Sequence, residues 1–315
     1  MLHILCYHRV LDKPDESNWP YFIRGTAVTA EVFEHHMQSL STHTEVLDED
    51  GVISWLCGER VLERPASWVT FDDGYRDNLT VAAPITARYG INPTLFITTN
   101  TLRPDWSLPV DSWYGTFTRA TKRRGVFEGM GTTPWCFDLD DQRTQQRLTD
   151  GPEKRAFVRA DAQQQASMLT QLSAIFCPAK EEYNDYLDKH DLKTLEEMGW
   201  LIGAHSLTHI SLPSADTTKQ REEVLGSLEA VHSLGLRRCS SFFAYPDGAH
   251  NEALMMRMRR WCSGLHGALT VEAAPTTQTS LSYAMPRYIP PNDQNWMQTL
   301  WSTTSSTLKH WTSQT

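Results

Sequence analysis

A run of apolar and β-branched residues, Trp68-Val69-Thr70-Phe71, ends on two adjacent carboxylates, Asp72 and Asp73, followed by Gly74 and Tyr75. The run reads as a buried strand, and the glycine permits a sharp turn at its end. Two like charges side by side at a strand end cost free energy, which a bound cation or a proton-transfer role would offset. A solvated Asp-Asp-Gly turn has the same local sequence, so the pair is not assigned by itself.

The partner is Gly203-Ala204-His205-Ser206-Leu207-Thr208-His209, which follows the apolar run Trp200-Leu201-Ile202. The histidines are four residues apart, so one helical turn would bring both imidazoles to the same side. Two imidazoles and one carboxylate make a three-ligand set with a position left open for water, the arrangement of a catalytic zinc site. A third stretch, Phe243-Ala244-Tyr245-Pro246-Asp247-Gly248, ends another strand-like run.

Thr70–Tyr75 and His205–His209 resemble the first two motifs of the polysaccharide deacetylases (carbohydrate esterase family 4, the NodB-homology enzymes), and Phe243–Gly248 is similar to the third. The resemblance covers about residues 1–100 and 190–290. It implies an α/β fold, a distorted, incomplete (β/α) barrel of the NodB-homology type. The N-terminal strand Leu2-His3-Ile4-Leu5-Cys6 leads into Tyr7-His8-Arg9. A similar Tyr-His segment opens a circularly permuted subgroup that includes the poly-N-acetylglucosamine deacetylases. By that analogy His8 is the general acid; His250, His266 and His310 are the later alternatives.

By the same resemblance Asp73, His205 and His209 hold one divalent metal, zinc first with cobalt or nickel also suited, and Asp72 is the general base. Asp247 supplies a backbone N–H to the developing oxyanion. The family's third motif usually carries an arginine that orients the base, and here Ala244 stands in its place, with Asp247 where an aromatic is usual. Arg287 can reach the Asp72 side and replace that arginine, or form an ordinary ion pair.

Between the two matching parts, residues 102–190 carry scattered prolines and a polar helical stretch over 140–172, with no strand periodicity. The spacing predicts a mostly helical insertion or cap between a first barrel part, 1–101, and a second, 191–315. Trp106, Trp113, Tyr114 and Trp135 offer faces for a sugar or base, or build the insertion's own core. Thr29 is the expected cap of a helix through Phe33, Met37 and Leu40, and Pro84 the start or kink of a helix within 78–89. Residues 282–288 read as the last strand, and Asp293 as the cap of a final helix through Trp296, Leu300 and Trp301.

The net charge of −9 argues against a nucleic-acid groove or an anionic membrane surface. Six cysteines lack Cys-x-x-Cys spacing and read as buried or free thiols. With no apolar span or signal-like start, the expected location is cytoplasmic. The expected partner is therefore an amino-sugar glycan or its precursor, a nucleotide sugar or a lipid-linked chain, with basic Arg119, Lys122, Arg123 and Arg124 available to a diphosphate. The expected reaction is removal of an N-acetyl or N-formyl group from the amino sugar. The alternatives are a metal-dependent amidohydrolase for a non-sugar amide and an inactive glycan-binding relative.

Overall fold

Strands covered on both faces read as continuous apolar runs, and two such runs fix the centre of the molecule. The computed structural model describes residues 1–179, 185–280 and 282–300. In chain order the strands are β1 (Leu2–Tyr7), β2 (Arg9–Leu11), β3 (Ala27–Thr29), β4 (Glu45–Leu47), β5 (Ala66–Asp73), β6 (Thr94–Ile97), β7 (Arg124–Gly129), β8 (Thr132–Asp138), β9 (Leu201–Ala204), β10 (Cys239–Ala244) and β11 (Gly267–Leu269). Every residue of β1 and β5 is buried.

The main sheet runs β1-β5-β6-β9-β10-β11, all pairs parallel, with β4 beside the start of β5. Parallel pairing delivers the C-terminal ends of the strands to one rim. His8, Asp72, Asp73, His205 and the Tyr245 turn therefore meet there. Residues 282–288 do not form the expected strand. Met285 bridges Leu269 and Tyr288 bridges Leu5, singly, so this segment joins β11 to β1 without a continuous ladder. Pro286, between the two bridges, has no N–H to donate. The parallel strands and their helices thus form a curled, distorted and incomplete (β/α) barrel.

Local chemistry accounts for the helices that carry the strands. The Thr29 side chain accepts from the Val32 N–H and caps Ala30–His43. Pro84 sits in the first turn of Ala83–Arg88, after a π-helical turn at Asn78–Ala82, where its missing N–H does no harm. Near the C-terminus Asp293 accepts from the Asn295 N–H ahead of helical residues 296–300; Trp301 lies outside the described residues.

The segment between β6 and β9 carries helices Pro109–Thr118, Gln142–Asp150, Pro152–Arg159 and Ala162–Phe176. It also contains the antiparallel hairpin β7–β8, which the sequence does not announce. Of the hairpin residues only Phe127 and Phe137 are buried, so no apolar alternation marks the strands. A separate apolar cluster packs Trp113, Phe117, Phe127, Phe157, Leu172 and Phe176 against Tyr21 and Tyr75 of the barrel side. Trp113 and Trp135 belong to this packing: Trp113 is fully buried, and Trp135 stacks on Phe127. Arg123 and Arg124 are ion-paired with Glu16, Asp138 and Asp140. All six cysteines are free thiols. No described helix is long and apolar enough to cross a membrane.

Candidate active site

Successive side chains of a strand point to opposite faces, so Asp72 and Asp73 would diverge if β5 stayed regular. It does not. Asp73 adopts a left-handed φ of 76° and Gly74 follows with φ 93°. A Cβ at Gly74 would lie 3.1 Å from Ile97, so the turn needs glycine for space as well as for its backbone angle. Both carboxylates then face one imidazole: His205 Nε2 is 3.8 Å from Asp72 Oδ2 and 3.7 Å from Asp73 Oδ1.

The two histidines meet by a different route from the expected helical turn. Residues 205–209 form a loop in which Ser206 and His209 both take left-handed angles, φ 66° and 56°. The Ser206 hydroxyl accepts from the His209 N–H at 2.9 Å. Buried Glu223 holds the loop from the following helix, accepting from the N–H groups of Leu207 (3.0 Å) and Thr208 (2.9 Å) and from the Thr208 hydroxyl (2.6 Å). The imidazole centroids end 5.0 Å apart, and His209 Nε2 is 3.5 Å from Asp73 Oδ1.

Asp73, His205 and His209 fit a metal ion. Each offers a ligand atom within 4.8 Å of the other two. Asp73 Oδ1 is buried with no hydrogen-bond partner among the described residues, an expensive state for a carboxylate unless a cation meets it. His205 Nδ1 lies 2.8 Å from the Ala244 carbonyl, which holds the proton on that nitrogen and leaves the Nε2 lone pair facing Asp73. Ligands about 2.0–2.2 Å from a tetrahedral zinc lie roughly 3.3–3.6 Å apart, close to the separations observed. Burial lowers the His205 pKa to about 3, keeping the ring in the neutral form that ligation needs. At His209 burial also favours the neutral ring, but the carboxylates of Asp73 and Asp247 outweigh it and raise the pKa.

Asp72 is fixed on the opposite side. Fully buried Arg287 donates to it twice, Nη1 to Oδ1 at 2.8 Å and Nη2 to Oδ2 at 2.6 Å. Two further donors of the guanidinium reach the Thr270 carbonyl at 3.0 Å and the Thr70 hydroxyl at 3.1 Å. Burial works against the Asp72 charge, yet Arg287 and then His205 outweigh it and hold the carboxyl well below its usual pKa. Asp73 is pushed up to about 7 by burial, against the pull of His209. The Cys6 thiol donates to Asp72 Oδ2 at 3.3 Å, a contact that its apolar strand context does not suggest.

His8 follows β1 at the same rim, with a ring nitrogen within 4.8 Å of both an Asp72 oxygen and Cys6 Sγ. Its Nδ1 is buried without a partner among the described residues, and burial lowers its pKa to about 4 while Asp72 pulls the other way. Cys6, His8 and Asp72 also satisfy the spacing of a metal trio. The Arg287 charge on Asp72 opposes a cation there and leaves Asp73 as the fitting carboxylate. Asp247 is exposed at the rim with a left-handed φ of 52°; partial desolvation of its carboxyl by the crowded site raises the pKa, and the charges of His209 and Lys154 outweigh that and lower it. Of the alternative histidines, His250 stacks on Tyr245 and bonds the Gly248 carbonyl, and His266 lies beside Phe242. His310 lies outside the described residues.

A half-barrel of parallel strands with an Asp-Asp strand end and two histidines converging at its rim defines a polysaccharide deacetylase fold. The model of the polysaccharide deacetylase family matches residues 165–261, which hold both histidines and the Phe243–Gly248 turn. No curated protein matches the chain significantly. Among solved structures, the chain is similar to the Streptococcus pyogenes deacetylase PplD in complex with acetate, at 16% identity and TM-score 0.59 over 91% of each chain. It is similar to IcaB from Ammonifex degensii at 15% identity and TM-score 0.56, over 94% of this chain and 97% of that one. The de-N-acetylase from Aggregatibacter actinomycetemcomitans aligns over 93% and 95% of the two chains, at 12% identity and TM-score 0.57. Residues 165–261 thus match the polysaccharide deacetylase family, and over nearly the whole chain the fold is that of solved deacetylases, IcaB among the structures it resembles.

Proposed function

We propose that this protein is a metal-dependent hydrolase that removes an N-acyl group, acetyl or formyl, from an amino sugar. The observation that carries this reading is the unpartnered Asp73 Oδ1 facing two imidazole nitrogens, beside an Asp72 held ionised by Arg287. Asp73, His205 and His209 would hold the ion, and zinc suits their mixed oxygen and nitrogen set. When bound, such an ion polarises the acyl carbonyl and makes water a nucleophile at neutral pH.

The chain's own groups handle the proton. Asp72 enters the reaction unprotonated and oriented, the state a general base requires. His8 is also unprotonated at rest, because burial depresses its imidazole. The proton it delivers to the leaving nitrogen is therefore the one released by the attacking water, taken first by Asp72. One water supplies the hydroxyl of the carboxylic acid and the hydrogen of the amine, so the step balances. The backbone N–H of Asp247 is the second donor to the oxyanion in this reading.

The substrate forms that follow are an amino-sugar glycan, a lipid-linked chain or a nucleotide sugar, met in the cytoplasm. The test is release of acid from N-acetylated and N-formylated amino sugars of each form. Full loss in chelator and recovery with added zinc, cobalt or nickel is expected, with no recovery in Asp73→Asn. Activity unaffected by chelation, with no metal found by elemental analysis, would overturn the reading.

A further inference from the structure

His8 stands between two strands and belongs to neither ladder. It follows Tyr7, the last residue of β1, and precedes Arg9, the first of β2. Its Nδ1 is buried without a partner among the described residues. A side chain that lacks such a bond is aimed by its backbone, so whatever fixes the His8 main chain fixes the approach of the ring. That main chain is gripped from one side. The Asn78 amide nitrogen donates to the His8 carbonyl at 2.8 Å. Neighbouring Asp77 accepts from the Val10 N–H at 2.7 Å and from Arg9 Nε at 2.9 Å. The Arg9 guanidinium also lies 4.7 Å from the centre of the Tyr21 ring and 4.6 Å from that of Tyr75, within cation–π reach of both.

Asn78 is a firm anchor. It is fully buried, its N–H donates to the Tyr75 carbonyl at 3.0 Å, and it opens the π-helical turn Asn78–Ala82, a rare form that recurs at functional sites. Only a donor can face a carbonyl, so the amide nitrogen is needed here and an ionised carboxylate of the same shape cannot replace it. The other end of the amide is unmet: Oδ1 is buried with no partner among the described residues. Such an oxygen costs about 1–3 kcal/mol, so stability alone does not account for this residue. The short stretch 72–78 thus carries the base and a ligand at one end and the anchor of His8 at the other. It sets the geometry in which acid and base face one acyl group, where a displacement of about 1 Å can cost roughly 100-fold in rate.

We propose that Asn78 is the positioning residue of the general acid, holding the His8 backbone so that the imidazole meets the leaving nitrogen. The inference rests on the deacylase reading, in which His8 delivers the proton. Asn78 touches no reacting atom and acts through His8 alone. Asp77 supports it by fixing the two residues that follow the histidine.

The experiment is a double-mutant cycle. Asn78→Ala, Asn78→Asp, His8→Ala and the two double variants are loaded with zinc and assayed on the N-acylated amino sugar that the wild type turns over fastest. Asn78→Ala should lower kcat on the order of 10–100-fold, with KM within about 2-fold and zinc content unchanged. Asn78→Asp keeps the shape and loses the donor, so it should lose at least as much without opening a cavity. In the His8→Ala background either change should cost less than about 3-fold, since the acid to be positioned is gone. Equal losses in both backgrounds, a loss carried by KM, or a loss of zinc would overturn the inference and leave the deacylase reading standing. Full turnover in both Asn78 variants would do the same, and failure of both to fold would make Asn78 a structural residue and overturn it too. A zinc-loaded wild type that releases acid from no N-acylated amino sugar sinks the deacylase reading, and the inference with it.

Discussion

Asp72 has both oxygens met by a buried guanidinium and a third contact from a thiol, whereas Asp73, one residue on, keeps Oδ1 buried without any donor among the described residues. The side chains are chemically identical, and their surroundings drive their proton affinities in opposite directions. Neighbouring carboxylates separated in this way suit different tasks: one as a fixed anion, the other, in the proposed reading, as a cation ligand. The left-handed turn at Asp73 brings both carboxylates to one imidazole, and the separation comes from Arg287, which meets Asp72 alone.

The largest effect that would break this comparison is catalytic. Asp72→Asn and His8→Ala should each lower turnover by at least about two decades with metal content near normal, whereas Asp73→Asn should lose the metal itself. Elemental analysis beside single-turnover kinetics separates the two. Equal metal loss in Asp72→Asn would show that the carboxylates share one role.

A second test removes the clamp. Arg287→Met leaves Asp72 buried and unpaired, and should cost about 3–5 kcal/mol in denaturant unfolding; the double variant with Asp72→Asn should regain part of that. The sign with pH follows. The folded pKa of Asp72 is depressed, so its stabilisation is complete above the unfolded value near 3.8 and is lost as pH falls toward the folded value. The pH dependence below about 4 should flatten in Asp72→Asn.

The smallest effect sharpens the other half. Glu223→Gln replaces an acceptor with a donor against the Leu207 and Thr208 N–H groups, loosening the loop between the histidines. Zinc affinity, read by competition with a chromogenic chelator, should fall about 10–100-fold while the Asp72–Arg287 half is untouched. Unchanged affinity would mean that the Ser206–His209 contact suffices.

The strand-end carboxylates and the paired histidines were legible because their residue types and strand contexts are local. Helix caps such as Thr29 were legible for the same reason. The helical turn expected over His205–His209 was not, because buried Glu223 and the Ser206 hydroxyl stabilise two left-handed residues that propensity disfavours. Glu223 carried no signal, since an acidic residue in a helix reads as solvated. Its burial, on a stripe with Gln220, Val224 and Ser227, emerges only in three dimensions. Arg287 appeared as one of two readings, and only three dimensions bring it 215 positions back along the chain to Asp72. The hairpin β7–β8 stayed hidden because exposed strands need no apolar period.

Arg287 also belongs to the segment that joins β11 to β1 through single bridges. The Arg287–Asp72 pair thus also ties this single-bridged segment to β5 across the incomplete barrel. Opening of that seam, visible as amide exchange at Met285, Arg287 and Tyr288, would release Asp72 from its clamp before any strand unfolds. Mechanical integrity and reactivity are here one property, and selection on either acts on both.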